Sequence, residues 1–418
     1  MMKKTDMQRR RFLQGMLFGG SALAVSTSAS AGLIKGHLLN ACGTRLPQHL
    51  MEHPLVKAAW EGIESTRCWD AHAHIAGTGD SGSGIYATSD MRSIWHPIQF
   101  AQHEFYLNAA CANKDDVDRS YVTRMRHLLD EMRPGCKSVL FAFEQAHDEN
   151  GKALPEHTAF HVPNDYARDL ARQYPAQFEW VCSIHPYRPD AVAALEKAVA
   201  QGARGVKWLP PAMGIDPASP RCDAFYKAMA RLDVPLICHA GEEKAVHGMG
   251  MKETGNPLKL RRALDAGVRV VIAHCASIGE DIDLNQGEHG PLVSSFKLFT
   301  GMMEQPQYKG LLYGDISAVT QRNRAPEVLR AIIERQDWHD RLLNGSDYPL
   351  PGVLPLFSPR KLAQVGLLDK TTVPVLDEIQ NYNPLLFDFV LKRHLRAGTQ
   401  KFADSIFHTK DFFMRSAK

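Results

Sequence analysis

The 418-residue chain carries 49 Lys+Arg against 46 Asp+Glu, a formal net charge of +3, and 44% of it is hydrophobic. That content suffices for one large packed core, and so small a charge excess, with no basic cluster beyond the amino terminus, excludes a charged nucleic-acid-binding surface. The eight cysteines include no Cys-x-x-Cys, which excludes a zinc ribbon and a dense disulfide framework.

In chain order, Arg9-Arg10-Arg11-Phe12-Leu13-Gln14 comes first and resembles a twin-arginine export motif, with Gln8 and Gln14 where Ser/Thr and Lys are common. The apolar run Met16 to Val25 and the small-residue site Ala29-Ser30-Ala31-Gly32 follow. Together they predict a signal peptide over 1–31, read by the twin-arginine export machinery, and a periplasmic protein. The run is too short and interrupted for a permanent span. Leu39-Asn40-Ala41-Cys42-Gly43 also resembles a lipoprotein site, so a lipoprotein signal to 41, with membrane attachment only through a lipidated Cys42, stays open. Residues 32–65 read as an N-terminal linker.

Eight short apolar runs then alternate with helical patterns. The runs are 68–72, 138–143, 178–184, 205–209, 235–239, 270–274, 311–316 and 342–347; helices are predicted at 190–201, 224–232, 258–266 and 326–335. Near-continuous apolar strands alternating with helices imply a parallel sheet covered by helices. Eight of them over 66–395 fit an α/β fold of the (β/α)8 TIM-barrel type, with 396–418 as a C-terminal tail. No Gly-x-Gly-x-x-Gly follows the first strand, which argues against a dinucleotide fold.

The polar residues of these runs fall at their carboxyl ends, the catalytic face of a barrel. His72 and His74, two apart on a strand, point to one face. Lys207, His239, His274 and Asp347 end four later strands. Ionisable groups at so many core-strand ends need partners, and a divalent metal supplies one. Imidazoles with one carboxylate suit zinc, with Mn2+, Fe2+ or Ni2+ not excluded.

This ordered set resembles the amidohydrolase superfamily: His-x-His, then Lys after the fourth strand, His after the fifth and sixth, and Asp after the eighth. Ala203-Arg204-Gly205-Val206-Lys207 and Asn381-Tyr382-Asn383-Pro384-Leu385-Leu386-Phe387 are similar to segments of its amidohydrolase-2, aminocarboxymuconate-semialdehyde decarboxylase-like branch. The resemblance covers 66–395. It departs at Lys207-Trp208-Leu209-Pro210-Pro211, where many members continue Gly-x-Lys-Leu-His-Pro, so no role for that missing histidine carries over. It implies a metal-dependent hydrolase in which activated water attacks a small ester, lactone or amide. Non-oxidative decarboxylation is a first alternative, and a non-catalytic barrel lipoprotein a second.

The ligands expected of one metal are His72, His74, His239 and Asp347. Asp347 also moves a proton, and His274 is either a second-metal ligand or a histidine beside the bound water. Lys207 has two readings: the carbamylated bridge of a binuclear site, as in some relatives, or a contact to substrate or a nearby carboxylate. A mononuclear site is favoured. Asp70, placed by alternation on the face of the histidines, and Asp315, ending the seventh strand, are expected to orient ligands.

Insertions are expected after strand 1 (Ala76 to about Lys137) and after strand 6 (about Gly279 to Gln307). The glycine-rich stretch 77–84 reads as a flexible rim, with Trp95, Phe100, Phe105 and Tyr106 covering the barrel mouth. Arg92, Arg124 and Arg126 read as helix-surface charges, with contact to an anionic substrate as the alternative; Glu242 and Glu243 read as solvated loop acids, with one of them lining the pocket as the alternative; and His96, His103, His185, His247 and His289 read mostly as surface histidines. Cys238 and Cys275, next to His239 and His274, should pack outward. A small-molecule substrate is the expected partner, and a homo-oligomer stays open.

Overall fold

Eight parallel strands follow one another around the molecule: β1 (Trp69–His74), β2 (Lys137–Phe141), β3 (Phe178–Val181), β4 (Val206–Trp208), β5 (Leu236–Cys238), β6 (Val270–Ile272), β7 (Leu312–Asp315) and β8 (Leu342–Leu343). The structure is a computed structural model that describes residues 40–414 apart from 93, 244, 245 and 247. The predicted leader, its twin arginines, the cleavage site at Ala31 and His247 therefore lie outside the described residues. Strands β1 to β3 form one ladder and β4 to β8 another. Hydrogen bonds join the two ladders at both edges. The Cys182 amide donates to Gly205 O at 3.0 Å and the Lys207 amide to Cys182 O at 2.7 Å. Across the other seam the Ala71, Asp347 and His74 amides donate to Asn344 O, His72 O and Tyr348 O at 3.0, 2.8 and 2.9 Å. The strands thus close into the expected (β/α)8 barrel.

Helices α1 (Val117–Asp130), α2 (Asn164–Gln173), α3 (Ala191–Ala200), α4 (Asp223–Arg231), α5 (Arg261–Asp265), α6 (Ser295–Met303) and α7 (Pro326–Glu334) fill the crossovers. The longer ones bury a stripe at helical spacing, such as Leu195, Ala198 and Val199 on α3 or Leu329, Ile332 and Ile333 on α7. Inside the barrel Trp69, Ala71, Val139, Phe141, Val181, Ile237, Val271 and Leu343 form one cluster. Intervening residues, Cys238 and Cys275 among them, pack outward as expected.

The carboxyl-terminal segment 396–414 packs into the barrel, with Phe412 and Phe413 in the inner cluster. Two expectations about organisation are corrected. The supposed linker carries helices Gln48–Met51 and Pro54–Ala59, whose Leu50, Val56 and Ala59 lie in the main core. The glycine-rich stretch is pinned rather than a flexible rim. Asp118 on α1 accepts from the amides of Thr78, Gly79 and Ser81 and from the hydroxyls of Ser81 and Ser83. A Cβ at Gly77 would stand 2.2 Å from Asp118 Oδ1, so the close approach requires glycine there.

The expected insertions are present, and the segment between β2 and α2 adds a third excursion. Its strand Phe160–His161 pairs antiparallel with Tyr86–Ala87 of the first insertion. The second insertion holds a hairpin, Glu280–Ile282 with Leu292–Ser294, ahead of α6. A Cys42–Cys111 disulfide and an Asn40 Nδ2 to Ala109 O bond of 2.8 Å tie the amino-terminal segment to the end of helix Pro97–Ala109. The sulfur that lipidation of Cys42 would use is engaged in that bond. No helix among the described residues is long and apolar enough to cross a membrane.

Candidate metal centre

A register shift in β1 builds the centre. Between Asp70 and Ala73 this strand advances three residues while β2 advances from Ser138 only to Leu140. The extra residue is a bulge, a device that re-aims side chains near active sites. Ala71 therefore joins Trp69 inside and Ala73 packs outside, which turns His72 and His74 toward the barrel axis. Asp70 is left on the opposite side, beside Leu129, Leu385 and Asp388.

His72 Nε2 and His74 Nε2 stand 3.2 Å apart, and Asp347 Oδ1 lies 3.5 and 3.2 Å from them. The edges of a tetrahedron around an ion bound at 2.0–2.1 Å measure about 3.3 Å, so three donors are already spaced for one cation. His274 Nε2 completes the convergence 3.9 Å from Asp347 Oδ2, and His72, His274 and Asp347 offer atoms within 4.8 Å of one another. His239 stands at the edge, its ring 5.6 Å from that of His274 and its Nε2 3.4 Å from Glu243 Oε2. That Nε2 is buried with no hydrogen-bond partner, the state of a donor awaiting an ion. These residues fit a divalent metal.

The surroundings orient the His72 and His274 rings with Nε2 lone pairs inward. Asp315 Oδ2 sits 2.9 Å from His72 Nδ1, and Ser317 Oγ and O sit 2.7 and 3.1 Å from His274 Nδ1. Hydrogens assigned to the Nδ1 atoms leave each Nε2 free to ligate. Burial, then the Lys207 charge, pushes His72 down to about 4; burial also lowers His239 and His274. Burial opposes ionisation of Asp315 and Asp347, yet both stay below the usual carboxylate range: His72 holds Asp315, and His274, His74 and His72 hold Asp347. Asp315 thus bonds one donor ring. Asp70 does not share the face of the histidines, because the bulge defeats alternation: its carboxylate accepts from the His72 amide and from the amide and hydroxyl of Ser346. It braces the turn that carries Asp347 and touches no ligand ring.

Backbone strain aims the later ligands. His274, Cys275 and Ala276 have φ of 54°, 51° and 47°, and Asp347 has 60°. Such left-handed residues cost about 1 kcal/mol or more each and cluster at functional sites. The His274 amide is captured by Asp315 Oδ1 at 2.9 Å. On the Asp347 side, Lys392 Nζ from the late helix Pro384–His394 donates to Gly345 O and to Asp388 Oδ2, both at 2.6 Å.

Lys207 Nζ reaches within 3.5 Å of His72 Nε2, and burial lowers its pKa against the pull of Asp315 and Asp347. It lies inside the cluster, where both of its readings would place it. Glu243 is no solvated acid, since it faces His239. Tyr106 on helix Pro97–Ala109 is raised by burial and by the charges of Glu243 and Asp347. Arg124 and Arg126 turn away, onto Tyr382 O and the Tyr174 ring. Ser317, Arg324 and Lys392 escaped the sequence reading. Of the three, only Ser317 had a usable signal, two residues beyond Asp315.

The loop histidines divide. His289 is exposed, His96 pairs with Asp90 at 2.9 Å, and His103 and His185 are buried. Burial, then the charge of His147, pushes His185 from 6.5 down to about 3. Above pH 6.5 both folded and unfolded forms are neutral there. Below it only the unfolded chain takes the proton, so this group removes about 1.4 kcal/mol of stability per pH unit until its folded value is reached. Urea titrations from pH 7 to 5 should show the wild type losing stability more steeply than His185→Gln by that amount; parallel curves would contradict the assignment.

A closed parallel barrel with imidazoles, a lysine and a carboxylate converging at the carboxyl ends of its strands has the build of a metal-dependent barrel enzyme. The profile of the amidohydrolase family matches residues 69–371, and the chain belongs to that family. No curated protein matches it. Among solved structures it is similar to an uncharacterised TIM-barrel protein from Bordetella bronchiseptica (16% identity, 68% of this chain and 86% of that one, TM-score 0.44). It is also similar to a probable 2-pyrone-4,6-dicarboxylic acid hydrolase from Acinetobacter baumannii (17%, 68% and 84%, 0.42). A third is 5-carboxyvanillate decarboxylase from Sphingomonas paucimobilis (11%, 78% and 96%, 0.43).

Proposed function

We propose that this chain is a zinc-dependent, exported hydrolase of a small ester, lactone or amide, with one metal held by His72, His74, His239 and Asp347. The observation that carries the reading is the tetrahedral spacing of His72, His74 and Asp347 around a common point. A divalent ion supplies there a water of lowered pKa and a polarised scissile bond. The chain's own groups do the rest. Asp347 stays ionised among three imidazoles and accepts the proton at Oδ2, the oxygen nearest His274. His274 is held in place by Ser317. Asp315 fixes the His72 ring and the His274 backbone together.

Elemental analysis of the purified protein with a panel of esters, lactones and amides tests this. About one zinc per chain is expected, with turnover that stops on chelation and returns with metal. Two tightly held metals, lowered by Lys207→Ala and restored by small carboxylic acids, would replace the mononuclear reading by a carbamylated bridge. Release of carbon dioxide in place of an acid product would make it a decarboxylase.

Export is supported by the twin arginines and by the Cys42–Cys111 bond, which belongs in an oxidising compartment. The double substitution Arg9→Lys and Arg10→Lys keeps the charge while removing the address. The folded protein should then stay in the cytoplasm; undiminished periplasmic delivery would reject the route.

A further inference from the structure

Arg324 lies in the loop after β7, on the face where the metal donors converge. Its Nη1 donates to Ser277 Oγ, and the Ser277 amide bonds His274 O at 3.0 Å, so the guanidinium is anchored to the turn that carries a donor histidine. Its Nε is buried with no hydrogen-bond partner. No ion pair among the described residues includes Arg324, although Lys392 and Arg393 each have a carboxylate at 2.6 Å.

Burial pushes this guanidinium down to about 10, against the pull of Asp347, Asp315 and Glu243. Two of those carboxylates are committed elsewhere, Asp347 to the imidazoles and Asp315 to His72 and Ser317, and Glu243 faces His239 Nε2 at 3.4 Å. A metal in the donor cluster would take up more of that negative charge. The edge formed by Nε and Nη2 is then a planar two-donor fork with no anion of its own, and a carboxylate matches it.

We propose that Arg324 receives a carboxylate of the substrate, so that the enzyme selects esters, lactones or amides bearing an anionic group close to the cleaved bond. The proposal rests on the hydrolase reading for its reaction but not for the anion site. Calorimetry with benzoate is therefore run on the metal-loaded and metal-free protein, each as wild type, Arg324→Gln and Arg324→Lys. Benzoate should bind the wild type, about 10- to 100-fold more weakly to Arg324→Gln, and with intermediate strength to Arg324→Lys. That last variant keeps the charge and decides the matter should Arg324→Gln not fold. In parallel, kcat/KM is measured for monomethyl succinate and for its neutral amide, methyl succinamate. The ratio of the two should fall by a similar factor in Arg324→Gln and recover partly in Arg324→Lys. Equal benzoate affinity in wild type and a folded variant, no benzoate binding to the wild type, or an unchanged substrate ratio would overturn the proposal. Failure to hydrolyse either ester would count against the hydrolase reading, while the benzoate measurements would still decide the role of Arg324.

Discussion

Asp347→Asn should leave the protein folded, deplete its metal and lower turnover by about 10²–10⁴-fold. Asparagine is nearly isosteric and, like aspartate, tolerates the left-handed backbone found at φ 60°. The turn and its Ser346 bonds to Asp70 therefore survive, and what disappears is the charge. That charge now lies 3.2 Å from His74 Nε2 and 3.5 Å from His72 Nε2, where the proposed function makes it the anionic ligand and the proton acceptor. Elemental analysis, activity and urea unfolding on one preparation separate the effects. Full metal occupancy with near-normal turnover would remove Asp347 from the centre. His72→Ala and His74→Ala should likewise lose metal.

The second large effect lies outside the barrel. Lys392→Met should destabilise the protein by about 3–5 kcal/mol, because breaking a buried pair leaves an uncompensated charge. Lys392 and Asp388 are 0% and 2% exposed, and burial already pushes Asp388 up to about 7. The substitution also strips Gly345 O, two residues before Asp347, of its donor, so weaker metal retention should accompany the lost stability. The double variant Lys392→Met with Asp388→Leu removes the stranded charge and should regain most of the stability, but not the grip on Gly345. Denaturant unfolding checks the first effect and metal affinity the second. A single variant within about 1 kcal/mol of wild type, or a double variant no better than the single, would show that the pair does not brace this turn.

The sequence by itself determined the barrel and most of the candidate metal donors. Alternation of apolar strands with helices is a local pattern, and a barrel sends strand ends to one face, so His72, His74, His239, His274, Lys207 and Asp347 could be placed without coordinates. Asp315 was legible for the same reason. Tertiary structure decided what depends on a partner strand or on distant chain. The bulge in β1 exists only against β2, and it moved Asp70 from the histidine face to the outer side, which strict alternation does not anticipate. The inner cluster is closed by Phe412 and Phe413, two ordinary apolar residues until the barrel wraps around them. Asp118 pins a glycine-rich stretch that composition alone presents as loose. Lys392 grips Gly345 from 47 residues away, and Arg324 meets Ser277 across 47. Contacts of that kind leave no mark in local composition or periodicity, because their chemistry arises only when folding brings the two residues together and removes the water between them.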